Sequence, residues 1–231
     1  MKLAEIINNC VYGTVGYISS QEDINNVEIR IIYNKPILSR FKEIIVVTNY
    51  KDISIHLEYE KMWKKHFDNV FFIHSTTNRG HSFGTADLDN ALFDFCKQNN
   101  LKWLCKSDND SVFSTEILDI EVIEADFYYI NGIGFGGLKN YNFDFGKILQ
   151  EDFYPQTYFY IINVDKTDFL TDKKFIDDTY NLVKNIPDYN GKVWEYIEGW
   201  SCENLLKQCV ERNNLTKHHL LDLSTYFSLI N

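Results

Sequence analysis

Short apolar runs alternate with amphipathic stretches through the first half of the chain. Val11 to Ile18 reads as a first strand, and Ser19 or Ser20 followed by Gln21-Glu22-Asp23 supplies a cap and an acidic first turn for a helix running toward Tyr33. Pro36 should bend or end that helix. The β-branched run Glu43-Ile44-Ile45-Val46-Val47-Thr48 predicts a buried strand, Ile55 to His66 a helix, and Val70-Phe71-Phe72-Ile73-His74 the next strand. After a polar turn at Thr76-Thr77-Asn78-Arg79-Gly80, the residues Leu88, Ala91, Leu92, Phe95 and Cys96 recur at the spacing of one helix face. Leu101 to Cys105 then predicts a further strand that stops at Asp108-Asn109-Asp110. Strand-helix-strand repetition with strands this apolar predicts an α/β fold whose mostly parallel sheet is covered on both faces.

The second half has a different texture. Phe127 to Ile130 and Tyr158 to Ile162 are aromatic-rich strands flanking a Gly132 to Gly137 segment, with helices predicted near Lys173 to Asn185 and Cys202 to Arg212. This half reads as α+β and is expected to supply loops over the sheet. No repeat, low-complexity tract or linker marks a boundary, so residues 1–231 read as one domain, with 1–115 and 116–231 as its two halves.

Composition narrows the partners. A formal net charge of −10 disfavours broad contact with nucleic-acid phosphates, which depends on clustered Lys and Arg, and it suits a protein that concentrates a divalent cation. The five cysteines show neither a CxxC pair nor zinc-finger spacing, which predicts free thiols in a reducing compartment. No apolar run has the length of a signal peptide or a membrane span, so a soluble cytoplasmic protein is expected.

The residues with the most chemistry are Asp108 and Asp110. In an open parallel sheet ligands bind beyond the carboxyl ends of the strands. Two carboxylates one residue apart can hold Mg²⁺ or Mn²⁺ through hard oxygen ligands, leaving positions for water and a diphosphate. A D-x-D is also a common turn, because Asp and Asn side chains bond nearby backbone groups; strand-end placement is what raises it above that. Lys106 is odd for an apolar strand and either reaches a phosphate or marks where the strand emerges into water. Gly80 and Gly84 bracket His81-Ser82-Phe83 where a helix begins, a place that accepts an anion or serves as a cap, without the ending of a Walker loop. Trp200 offers either a stacking platform for a sugar ring or a core side chain. Pro155-Gln156-Thr157 is either an acceptor contact or a strand-entry turn.

The order Glu43-Ile44-Ile45-Val46-Val47, Asn78-Arg79-Gly80, an Ala86-centred helix containing Asn90, Trp103-Leu104 and Asp108-Asn109-Asp110 resembles the nucleotide-sugar half of GT-A-fold glycosyltransferases, particularly family 2, over residues 11 to 115. The resemblance implies a three-layer α/β/α sandwich. It implies a nucleotide-diphospho-sugar donor contacted by Tyr17, Asn49, Asp52, Asn78, Gly80, Lys106 and Asp108, with Mn²⁺ or Mg²⁺ on Asp108 and Asp110 and a late histidine, His218, as a third ligand. It also implies a carboxylate base near a helix start in the second half, where Glu198 and Glu203 stand. The chain departs from the family where Thr48-Asn49-Tyr50, with Asp52 displaced, replaces the usual acidic pair, and either Asp108 or Asn109 can take the first acidic position.

The expectation is therefore metal-dependent transfer of a sugar from a nucleotide-diphosphate donor to a hydroxyl acceptor. Two rivals are a sugar-phosphate nucleotidyltransferase, for whose Gly-rich loop Val11 to Gly16 is a poor match, and a catalytically silent glycan-binding protein of the same fold.

Overall fold

The computed structural model describes residues 1–50, 52–75, 77–131, 153, 155–187, 189, 193, 196–197, 200–220 and 227–229. After a short helix α1 (Leu3–Ile7), β1 (Val11–Ile18), α2 (Gln21–Leu38), β2 (Ile44–Tyr50), α3 (Ile53–His66), β3 (Val70–His74), α4 (His81–Gln98) and β4 (Trp103–Asp108) alternate strictly. A short β5 (Ser111–Phe113) and a 3₁₀ turn follow, then β6 (Phe127–Asn131), β7 (Pro155–Asn163), α5 (Lys173–Val183), α6 (Cys202–Arg212), β8 (Lys217–His219) and β9 (Phe227–Leu229).

The central sheet has the order β3-β2-β1-β4-β7-β6-β8, and β5 pairs with β9 in a separate two-stranded ribbon. From β3 to β4 all pairings are parallel; β7 runs antiparallel to both β4 and β6, and β8 is parallel to β6. One sheet thus runs through both halves of the sequence. Alternation along the strands splits the core between two faces. Tyr12, Ile44, Val46 and Cys105 pack with Ile24, Ile31, Tyr59 and Trp63 of α2 and α3 on one side, and Val15, Val47, Leu104 and Tyr160 pack with Leu92, Cys96, Leu206 and Cys209 of α4 and α6 on the other. Each fully buried aliphatic side chain of this kind contributes about 1.5–3 kcal/mol. A smaller cluster around Phe83, Ile176 and Trp200 joins α4, α5 and α6.

Local chemistry sets the boundaries. Ser20 caps α2 in a reciprocal box with Asp23, and Ser201 caps α6. Pro36 does not end α2, which runs on to Leu38. Proline removes only the bond to the carbonyl of Ile32, a residue that is 56% exposed, so the loss falls on the solvent side of the helix. Gly80 precedes α4 with φ of 86°, a conformation that favours glycine, and its N–H donates to Asn78 Oδ1 at 3.1 Å.

Among the described residues no helix is long and apolar enough to cross a membrane, and all five cysteines are free thiols.

Candidate functional site

From β1 the chain passes to β2 and β3 on one side, then returns to β4 on the other side of β1. The strand order reverses between β1 and β4, and it is beyond the carboxyl ends of such a strand pair that open α/β sheets bind ligands. Asp108 is the last residue of β4 and pairs with Val15 of β1; Asn109 and Asp110 form the turn that follows. Gly16 leaves room for the Asn109 side chain, since a Cβ there would collide with it. Asn109 therefore lies against β1 on the α2/α3 side, whereas strand alternation puts Asp108 on the α4/α6 side.

The turn is held from below. Asn34 of α2 is buried; its Nδ2 donates to Ser111 O at 2.7 Å and its Oδ1 accepts from Phe113 N at 2.9 Å. Arg30 Nη1 donates to Asn109 O at 3.4 Å. Asp110 Oδ1 is shut off from solvent and has no hydrogen-bond partner among the described residues. Burial raises the Asp110 pKa and the neighbouring Asp108 raises it further, while Arg30 opposes both.

Beneath Asp108 lies a buried charged network. Lys106 is fully buried, and its Nζ donates to Asp108 Oδ1 at 2.5 Å and to Thr157 O at 2.5 Å, with Asp89 Oδ1 of α4 at 3.5 Å. Burial pulls the pKa of this ammonium down; Asp108 and Asp89 outweigh it and push the pKa above the ordinary lysine value. Asp89 is itself 4% exposed, and burial, with a smaller push from Asp108, raises its pKa to about 6 against the pull of Lys106. Thr157, two residues into β7, also donates through Oγ1 to Glu203 Oε1 at 3.1 Å. Glu203 is in the first turn of α6, so the second half of the chain brings a carboxylate to the triplet through Thr157 and Lys106. Asp89, Thr157, Tyr160 and Cys202 border a cavity of about 10 Å³, and both the Asp89 Oδ1, ion-paired with Lys106, and the Tyr160 hydroxyl are buried without a hydrogen-bond partner among the described residues.

The remaining expected residues fall in different places. Tyr17 is 48% exposed near the end of β1 and pairs in register with Asn49, whose Nδ2 donates to Thr77 O at 3.0 Å. Asp52 caps α3, accepting from Ser54 N and Ile55 N at 2.9 and 3.1 Å. Asn78 and Gly80 shape the turn into α4, and Arg79 is tied to Asp87 and Asp177. Lys106 does not mark emergence into water, because two carboxylates and a carbonyl enclose it. His218 does not meet the acidic pair. It lies in register with Tyr128 on β8, three strands or about 14 Å from β4, in the row of Cys105 and so on the sheet face opposite Asp108. Trp200 is core, 3% exposed and packed on Phe83 and Phe175. Glu198 lies outside the described residues.

Sequence reading missed Asp89 and Asn34, although both carried a signal. Asn34 continues the apolar stripe Ile24, Val27, Ile31 of α2, and Asp89 continues Phe83 and Ala86 toward Phe93 on α4. A polar side chain at a helical core position calls for a buried partner.

No protein-family model matches the chain, and no curated protein matches it. Among solved structures it is similar to the nucleoside-diphosphate-sugar pyrophosphorylase from Vibrio cholerae RC9, with a TM-score of 0.50 and 10% sequence identity over 94% of this chain and 94% of that one. At that identity the likeness is one of fold alone: a mixed α/β chain with a mostly parallel central sheet and helices on both faces.

Proposed function

We propose that the chain is an enzyme acting on a nucleotide-linked sugar, with Asp108 and Asp110 holding a divalent cation against the phosphates. The observation that carries this reading is the orphaned Asp110 Oδ1 beside Asp108 at the point where the strand order reverses. A buried carboxylate oxygen without a donor costs free energy, and a hard cation is the partner whose chemistry fits two neighbouring carboxylates. Lys106 occupies Asp108 Oδ1 and offsets part of the negative charge, so the pair and Asp89 can remain together. Mg²⁺ or Mn²⁺ bound there would neutralise charge on the phosphate oxygens of the substrate. Asn34 and Arg30 hold the turn in place from α2.

Two chemistries use such a site. Nucleotidyl transfer, in which a sugar-phosphate oxygen attacks the α-phosphorus of a nucleoside triphosphate and pyrophosphate leaves, is favoured by the likeness to a pyrophosphorylase fold. Glycosyl transfer, in which an acceptor hydroxyl displaces the nucleoside diphosphate at the anomeric carbon, is favoured by the connection between β1 and α2. That connection is only Ser19-Ser20, with no glycine-rich loop to wrap a triphosphate, and Gly13 lies within β1, where a Cβ would meet Leu92 and Leu104. Glu203, at a helix start, would take the acceptor proton in that case.

Calorimetry with UDP and GDP, with and without Mn²⁺, tests the common reading: binding should depend on the ion and fall about 100-fold in Asp110→Asn, roughly 2.7 kcal/mol. Metal-independent binding, or an unaltered variant, overturns it. Incubating nucleotide sugars with pyrophosphate separates the two chemistries, since nucleotidyl transfer in reverse yields a nucleoside triphosphate and a sugar 1-phosphate. Glycosyl transfer yields a nucleoside diphosphate and no triphosphate.

A further inference from the structure

At the β3 edge of the sheet, three side chains converge that the nucleotide-sugar reading does not use. His56 and Glu60 are one helical turn apart on α3, and His74 ends β3. His56 Nε2 lies 3.0 Å from Glu60 Oε1 and 3.1 Å from His74 Nε2, and His74 Nε2 lies 3.3 Å from the same glutamate oxygen. Three ligand atoms around an ion at about 2.1 Å stand about 3.4 Å apart in a tetrahedron and about 3.0 Å apart in adjacent octahedral positions. The observed triangle is of that size.

Hydrogen bonding alone serves the triangle poorly. Each neutral imidazole has one N–H, and both Nε2 atoms face the same oxygen and each other, so the protons needed to bond all three contacts crowd into one space. The surroundings orient the donors: Glu60 Oε2 accepts from Lys64 at 2.7 Å, leaving Oε1 to the histidines, and the Tyr50 ring stacks on His56 with centroids 4.7 Å apart. His56 is 2% exposed and the His74 side chain 36%, so the triangle is walled on the α3 side and open toward solvent.

We propose that His56, Glu60 and His74 form a binding site for a divalent transition-metal ion, Zn²⁺ by its donor set, with at least one coordination position open to water. Two imidazoles and one carboxylate favour Zn²⁺, Co²⁺ or Ni²⁺ over Mg²⁺ and Ca²⁺, which prefer oxygen ligands throughout. His56 Nδ1 is buried without a hydrogen-bond partner among the described residues. A bound ion would lack that outer support, which lowers affinity by about 10–100-fold relative to a fully braced site. The ion would fasten the end of edge strand β3 to α3. It would be separate from the acidic site, because His74 lies in register with Thr48, Thr48 with Gly16, and so stands about three strand spacings, or 14 Å, from β4.

Titration of the EDTA-stripped full chain with ZnCl₂ in excess Mg²⁺ tests the site. The result expected is one zinc equivalent and, at zinc about 100 times Kd, a rise in Tm of roughly 5–10 °C. Co²⁺ should give the visible absorption of a low-coordinate site. His74→Ala, at a partly exposed position, should abolish the zinc-dependent rise while leaving the Tm of the metal-free chain within a few degrees; Glu60→Gln should weaken it, and Asp110→Asn should retain it. Unchanged zinc binding in His74→Ala, loss of it in Asp110→Asn, or no binding by the unaltered chain overturns the proposal. None of these outcomes depends on nucleotide binding.

Discussion

Two polar clusters stand at the carboxyl edge of one sheet and solve the problem of gathered charge in different ways. The cluster at the acidic triplet puts two carboxylates, Asp89 and Asp108, against a fully buried ammonium, and the protein supplies its own cation in Lys106. The cluster on α3 and β3 has two imidazoles and one carboxylate. Burial, reinforced by His56, lowers the pKa of His74 against the pull of Glu60, and the lysine that braces Glu60 is 57% exposed. The first is built on hard oxygen donors with internal compensation, the second on nitrogen donors with little charge to compensate. Donor chemistry thus separates what each can bind, although both stand at strand ends.

The largest test of that contrast removes one lysine from each. Lys106→Met should destabilise the chain by about 3–5 kcal/mol, because it leaves buried carboxylates without their partner. Lys64→Met, breaking an exposed i,i+4 pair, should cost about 0.5 kcal/mol. Urea denaturation of both measures the difference; similar midpoints would mean that Lys106 does not compensate the acidic cluster.

A second, smaller effect separates the clusters by pH. Asp89 ionises near its ordinary 3.8 in the unfolded chain and near about 6 in the folded one. Between those values the folded state keeps a proton that the unfolded state has released, so stability contributed by the protonated form is full below 3.8 and is lost as pH rises through about 6. The loss is on the order of 2–3 kcal/mol. Asp89→Asn should remove this falling segment from a stability-versus-pH profile measured between pH 3.5 and 7. If the wild-type and variant profiles stay parallel there, Asp89 is not the buried acid described.

How far these features were legible follows from how local their causes are. The strand Val70–His74 and the helix Cys202–Arg212 were read to the residue, and every strand of the parallel half was found, because β-branched runs and a 3.6-residue stripe are contained in a few consecutive positions. Lys106 stood out as odd, yet of its partners only Asp108 is near in sequence; Asp89 comes from a different element and Thr157 is 51 residues away, so its full burial could not be read locally. β8 and β5 are each three residues long, and among the described residues β5 pairs only with β9, which leaves no periodicity to detect. His218 was assigned to the acidic pair from its position late in the chain, and register alone shows that two strands intervene. The acidic triplet itself was legible as a strand end; the clamp by Asn34 was not, since it joins residues 77 and 79 apart.

The smallest test concerns how the second half joins the acidic cluster. Thr157 uses its backbone carbonyl for Lys106 and its hydroxyl for Glu203, so Thr157→Val keeps the first bond and the strand while deleting the second. Valine suits a β-strand, and the lost hydrogen bond should cost about 1 kcal/mol of stability. Its value lies in a split between readouts. If Glu203 serves as the base, releasing its carboxylate should lower kcat several-fold with nucleotide affinity unchanged, and Glu203→Gln should lower kcat further without additivity between the two changes. If Glu203 serves only the helix start, Thr157→Val should alter stability alone, and Glu203 would be a first-turn carboxylate favouring the helix dipole rather than a base.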